Sequence, residues 1–403
     1  MDKEAGDRYY AEALDLHERH HGKIAVSVKV PMGTRDDLSR AYTPGVAAVC
    51  RAIADDPSLA YRYTLKGNSI AIITDGSAVL GLGNIGGVAA IPVMEGKAAI
   101  FREFAGIDAF PICFDRYFPD IIDAIRHIAP VFGGINLEDI AAPRCFEIEE
   151  ELQDLGIPVM HDDQHGTAIT VLAAIINACR VTGKEFEDLR VVISGAGAAG
   201  YAIARLLCCI GYQRDLCRRV GAIIVCDRQG IIHRDRRGLY ENKYKFILAD
   251  ETNREGRVGT LADAVEGADI FIGVSAPGIL TADMVRSMND GPVVLALANP
   301  VPEIMPDEAR RAGARIIGTG RSDGSNQINN ALAFPGVFRG ALDAHATRIS
   351  DEMKVAAAHG LAAYLPAPSE DHLLPVVTDR GVVRAVADRV MEAAFAYGYG
   401  REW

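Results

Sequence analysis

No Cys-x-x-Cys pair occurs among the eight cysteines, so the ligand spacing that thiolate zinc sites and dithiol redox motifs require is missing. Cys208 and Cys209 are adjacent in the apolar stretch ARLLCCIG and read as small core hydrophobes rather than as a disulfide or metal pair. Positive charge is also scarce: 42 Lys and Arg stand against 54 Asp and Glu, a formal charge of −12. That balance argues against nucleic-acid binding, which depends on clustered basic residues. No apolar run approaches the ~18 residues of a membrane span. The best candidate, Ile169 to Ala178, is too short, and the start MDKEAGDRYY has no apolar signal region. These absences lead us to expect a cytoplasmic protein with neither nucleic acid nor membrane among its partners.

What is present is an alternation of short β-branched runs with helical stretches. SIAIIT, DAFPICF, GGIN and PVMHDD read as strands, with helices through GVAAIPVMEGKAAIFREFAG, PDIIDAIRHIA and APRCFEIEEELQDLG between them. A second series opens at Leu189 with LRVVIS and continues through GAIIVC, DIFIGV, PVVLALA and ARIIGTG. Runs of that length and composition are expected of buried parallel strands. The predicted fold class is therefore α/β. An N-terminal α/β domain over residues 1–160 is followed by a doubly wound Rossmann-type domain over 161–345 and a helical segment over 346–403.

Chemistry concentrates between residues 136 and 200. The turn GAGAAG (Gly195, Gly197, Ala198, Ala199, Gly200) follows a predicted strand and opens a predicted helix. That is the setting in which backbone N–H groups cradle a dinucleotide pyrophosphate. The second strand of that domain ends at Asp227, where a carboxylate would accept the adenosine ribose hydroxyls. Its neighbour Arg228 leaves room for a 2′-phosphate, so the reading leans to NAD over NADP without excluding the latter. Upstream, NLEDI supplies Glu138 and Asp139, and HDDQHGT supplies Asp162 and Asp163. Hard carboxylates at neighbouring strand ends suit Mg²⁺ or Mn²⁺. His161 and His165 flank the second motif but have no cysteine partner that would point to zinc.

These motifs carry a resemblance. AYTPGVA, TDGSAVLGLGNIG, EGKA, NLEDI, HDDQHGTA, GAGAAG, ALANP and SNQINNALAFPGVFRG occur in order from about residue 20 to 365. The chain resembles the malic enzymes of the shorter prokaryotic type. The resemblance implies metal ligation by Glu138, Asp139 and Asp163. It also implies Tyr42 as general acid, Lys97 as general base and Asp162 tuning Lys97, with Asn299 and Asn330 holding the substrate. It implies a homodimer that converts malate to pyruvate and CO₂. Larger members have an arginine before the LGLG turn, where this chain has Ala78. Carboxylate recognition is then left to Ser77, the asparagines, the metal or a neighbouring subunit.

The chemistry is coherent without the family. Oxidising a secondary alcohol needs a base, and a lysine can serve if burial and a second cation depress its proton affinity. The nicotinamide takes the hydride, and a metal polarises the ketone for loss of CO₂. Two rivals share parts of this pattern. One is another metal-dependent hydroxy-acid oxidative decarboxylase, and the other is a non-catalytic dinucleotide-sensing module.

Overall fold

The computed structural model describes residues 3–402 except 80, 116–117, 213–216 and 322–323. Leu80 of the LGLG turn and four residues of the YQRDLCRRV insertion thus lie outside the described residues. Among the described residues, ten strands form two sheets. The first is all parallel: β1 (Ser69–Thr74), β2 (Asp108–Cys113), β3 (Gly134–Leu137) and β4 (Val159–His161), in the order β2-β1-β3-β4. The second contains β5 (Arg190–Ser194), β6 (Ala222–Asp227), β7 (Gly230–Ile231), β8 (Ile270–Gly273), β9 (Val293–Ala296) and β10 (Ile316–Thr319). Its order is β10-β9-β8-β5-β6-β7, parallel except for the short β7, which runs against β6.

Both sheets reverse their winding once. From β1 the chain goes first to β2 on one side and then to β3 on the other; from β5 it goes to β6 and later to β8. Crevices open at the carboxyl ends of strands where winding reverses. The carboxylate motifs follow β3 and β4, and the glycine turn follows β5.

One core joins the two sheets. The helix Gly86–Ala105 turns Ala90, Met94, Lys97, Ala98 and Phe101 to its buried face, the spacing of a single helical stripe. Phe101 meets Phe334 and Phe338 edge-on, with centroids 4.7 and 5.5 Å apart. The expected C-terminal tail is therefore part of the N-terminal core: the helices Phe334–Asp343 and Arg380–Ala396 pack back on Gly86–Ala105. Full burial of a side chain such as Phe101 contributes roughly 1.5–3 kcal/mol.

The helix Asp162–Thr182 runs between the sheets and packs against Ala198–Cys208 and Asp351–Tyr364. Its 21 residues are long and apolar enough to cross a membrane, a length the sequence reading of Ile169 to Ala178 did not reach. Two thirds of the apolar window is buried inside the protein, and two aspartates open the helix. It is a core helix.

Two sequence expectations are corrected here. Asp162 and Asp163 do not end a strand but form the first turn of that helix, where the helix dipole favours carboxylates. Cys209 is not a core hydrophobe: it caps the helix Ala198–Cys208 with left-handed backbone and forms a disulfide with Cys217. Cys208 remains buried. The short antiparallel β7 had no sequence signal beyond two residues.

The N-terminal region behaves differently from the rest. From Arg8 to Asn68 no described residue is buried. The helices Arg35–Ala41, Val46–Asp55 and Leu59–Tyr63 have no buried face, while Leu14, Val26, Val28 and Tyr42 are 75%, 90%, 74% and 68% exposed.

Candidate active site

Three carboxylates from two elements converge. Glu138 and Asp139 follow β3, Asp163 lies in the first turn of Asp162–Thr182, and one oxygen of each lies within 4.8 Å of the others. Asp139 adopts left-handed backbone at φ 53, and its N–H donates to Asp163 Oδ2 at 2.9 Å. Burial pushes Glu138 above its ordinary proton affinity; Lys97 opposes the rise and Asp163 adds to it. Burial likewise raises Asp163, against Lys97 and the Asp139 N–H. Crowded, desolvated carboxylates of this kind gain from a shared positive charge, and oxygen donors alone suit a hard cation.

Lys97 sits beside this cluster and is 9% exposed. Its Nζ donates to Asp162 Oδ2 at 2.6 Å and lies 2.9 Å from Glu138 Oε1. The ammonium also lies 4.1 Å from the centre of the Phe334 ring. Asn330 Nδ2 donates to the same Asp162 oxygen at 2.6 Å. Burial favours the neutral amine, but the two carboxylates outweigh it and hold the lysine above its ordinary value. That reverses the depression expected from sequence, because the nearest charges are negative rather than a second cation.

The other expected residues divide into those brought to this cluster and those left apart. Lys97, Asp162, Asp163, Glu138, Asp139 and Asn330 meet. Asn299 lies in the loop after β9, half-buried, with its carbonyl oxygen 3.0 Å from where a side chain on Gly81 would begin. Tyr42 closes the helix Arg35–Ala41 on the exposed N-terminal region, and no hydrogen bond joins its hydroxyl to Lys97 among the described residues. Ser77 is occupied: its hydroxyl donates to Asp75 Oδ1 at 2.5 Å and accepts from Ala141 N at 2.9 Å. It holds the β1 turn onto the carboxylate loop, as does Ala78 N on Asp139 O.

The glycine turn has the geometry of a phosphate cradle. A Cβ on Gly200 would stand 1.8 Å from Gly195 O, and one on Gly195 would stand 2.5 Å from Val274 O. Gly197 faces open space and caps the helix Ala198–Cys208, so Ala198 and Ala199 form its first turn with no side-chain cap. The unpaired N–H groups of a helix start then face the cleft. Asp227 ends β6 beside this turn, since Cys226 O accepts from Gly195 N at 2.9 Å. Arg228 is exposed.

Sequence reasoning missed three residues that organise the site. Glu149 accepts from His161 N at 3.1 Å and Gln164 Nε2 at 3.0 Å, and His165 Nε2 lies 3.0 Å away. It fixes both histidines that flank the aspartates. Glu303, fully buried, accepts from Ser275 N and Ala298 N at 2.9 and 3.1 Å and ties together the loops after β8 and β9. Arg236 binds both oxygens of Asp227. A lone acid or arginine in a polar stretch gives no local signal of such contacts.

Comparison with known proteins accords with this geometry. A family model described as malic enzyme, N-terminal domain matches residues 21–118, and one described as malic enzyme, NAD binding domain matches residues 164–395. An NAD-dependent malic enzyme of Geobacillus stearothermophilus is 52% identical, over 94% of this chain and 78% of its own length. A bifunctional malic/malolactic enzyme of Bacillus subtilis is 50% identical, over 97% and 94%. The crystal structure of an NAD-dependent malic enzyme from Thermotoga maritima superposes with a TM-score of 0.89 at 45% identity, over 94% of this chain and 98% of that one.

Proposed function

The chain belongs to the malic enzyme family and is an NAD(P)-dependent oxidoreductase that converts malate to pyruvate and CO₂, and we propose the following division of labour among its residues. Glu138, Asp139 and Asp163 hold a divalent cation, Mg²⁺ or Mn²⁺; the observation that carries this is their convergence within 4.8 Å in an oxygen-only set of two buried carboxylates and one half-buried. When bound, such a cation polarises the ketone oxygen for decarboxylation.

Lys97 takes the hydroxyl proton. It can do so only when its proton is less tightly held, and Glu138, one of the two carboxylates holding it, is shared with the cation site. Asp162 and Asn330 position the amine, and Asn299 and Asn330 bind substrate. The glycine turn between β5 and the helix Ala198–Cys208 orients the dinucleotide.

Tyr42 supplies the acid from a second copy of the chain. The support is the 68% exposure of Tyr42 within a region that buries none of its own apolar side chains. Apolar surface of that extent needs a cover, and a symmetric dimer provides one reciprocally. The same interface supplies what Ala78 lacks for carboxylate recognition.

Malate turnover with either dinucleotide, before and after dialysis against EDTA, tests this reading. Activity should vanish on chelation and return with Mn²⁺ or Mg²⁺. Full activity in the chelated protein removes the metal assignment. Equal turnover of isocitrate or tartrate would favour the rival decarboxylase.

A further inference from the structure

The adenosine end of the cofactor cleft carries more positive charge than a ribose diol requires. A carboxylate ending the second strand ordinarily accepts two ribose hydroxyls and repels a 2′-phosphate. Here both oxygens of Asp227 are already engaged. Arg236 Nη2 donates to Oδ1 at 2.6 Å and to Oδ2 at 2.7 Å, Lys245 Nζ donates to Oδ2 at 2.7 Å, and Gln229 N donates to Oδ1 at 2.9 Å. Burial opposes ionisation of Asp227, yet the hydrogen bonds from Lys245, Gln229 and Arg236 outweigh it and hold the carboxyl below its ordinary value.

Arg236 also donates from Nε and Nη2 to Gln229 Oε1, at 3.1 and 2.9 Å. The Arg236 side chain is 11% exposed, and its Nη1 is buried with no hydrogen-bond partner. The Lys245 side chain is 33% exposed, and the Arg236 guanidinium beside it has the planar fork of donors that suits phosphate oxygens. Arg228, directly after Asp227, is exposed. One carboxylate thus faces Arg236 and Lys245, with Arg228 the next residue along the chain, a local excess that matches a phosphate of nearly two negative charges.

We propose that Arg236 and Lys245, with Arg228 at the rim, form a 2′-phosphate subsite, and that NADP⁺ is the preferred hydride acceptor. The proposal rests on the dinucleotide lying along the glycine turn. It reverses the sequence lean toward NAD, because the residue that would repel the phosphate is neutralised by two cations the sequence did not place beside it. The family leaves the choice open, with NAD-dependent and NADP-dependent relatives of similar identity.

The test is calorimetric titration of the full-length protein with 2′,5′-ADP and with 5′-AMP, which differ at the ribose by the phosphate alone. It is paired with kcat/KM for NADP⁺ and NAD⁺. 2′,5′-ADP should bind at least about tenfold more tightly, the scale of one charge-assisted contact. Arg236→Gln and Lys245→Gln should each erase most of that ratio while leaving 5′-AMP binding equal or improved. Should Arg236→Gln not fold, the wild-type ratio and Lys245→Gln decide. Equal binding of the two probes, or a higher kcat/KM for NAD⁺, overturns the proposal. Binding of neither probe would instead overturn the assignment of the glycine turn.

Discussion

Lys97 and Asp162 form a buried ion pair 2.6 Å long, and the carboxylate oxygen they share also accepts from Asn330 at 2.6 Å. The lysine is therefore positioned from two elements distant in sequence, the helix Gly86–Ala105 and the first turn of Asp162–Thr182.

If Lys97 is the base, Lys97→Ala should cut malate oxidation by roughly 10²–10⁴-fold, the usual loss for a general base. Binding of the reduced dinucleotide, followed by its fluorescence, should hardly change, because the glycine turn is served by the other sheet. Wild-type turnover in this variant would show that the proton leaves by another route.

Tyr42→Phe should slow protonation of enolpyruvate while sparing decarboxylation of added oxaloacetate. Mixed with Lys97→Ala protein, it should recover activity. A heterodimer has one site with both defects and one intact, so random reassortment restores about a quarter of wild-type sites. If equilibrated mixtures stay inactive, Tyr42 does not act across an interface.

Gly200→Ala should abolish tight dinucleotide binding, since the new methyl would meet Gly195 O at 1.8 Å. Oxaloacetate decarboxylation, which needs no hydride acceptor, should persist. A variant with normal dinucleotide affinity would place the pyrophosphate elsewhere.

Glu149 gives a prediction about acid stability. Burial raises its proton affinity, but the charge and hydrogen bond of His165, then Lys354 and His161, outweigh this and hold it at about 2, against 4.5 unfolded. His165 is itself pushed below its ordinary value by burial. Gln164, the His161 N–H and Lys354 face that carboxylate besides His165. A depressed folded value gives stability that is complete above the unfolded value and is lost as pH falls toward the folded one. Glu149→Gln should therefore cost roughly 3 kcal/mol at pH 7. In urea melts the gap from wild type should close as pH drops from 4.5 toward 2. A gap independent of pH would assign the loss to packing rather than charge.

Much of this was legible in the sequence for a physical reason: the signals were local. β1 is a six-residue run buried along its whole length, and the glycine turn needs only adjacent strand, turn and helix. The carboxylates announced themselves by following short apolar runs. Contacts between distant segments were not legible. Nothing near Arg236 indicated that it would grip Asp227, and Glu303 looked like an ordinary loop acid. The proton affinity of Lys97 was read in the wrong direction because its sign depends on which charges the fold brings close. The lack of any buried residue from Arg8 to Asn68 could not be read from a segment that looked amphipathic and ordinary.

Asp162 and Asp163 are consecutive on one helix, so their side chains leave the axis about 100° apart. One points to Lys97 and Asn330, the other to Asp139 and the carboxylate cluster. In the proposed division of labour, proton handling and charge anchoring are thus two readings of a single dial. A rotation of this helix cannot loosen one without misaligning the other, and a one-residue shift of its register would put Asp162 in the place of Asp163 and carry Asp163 out of the cluster. The same rigid rod continues between the sheets and packs against the helix that begins at the glycine turn. The angular setting of the two aspartates is therefore tied, through one packed helix pair, to the placement of the glycine turn.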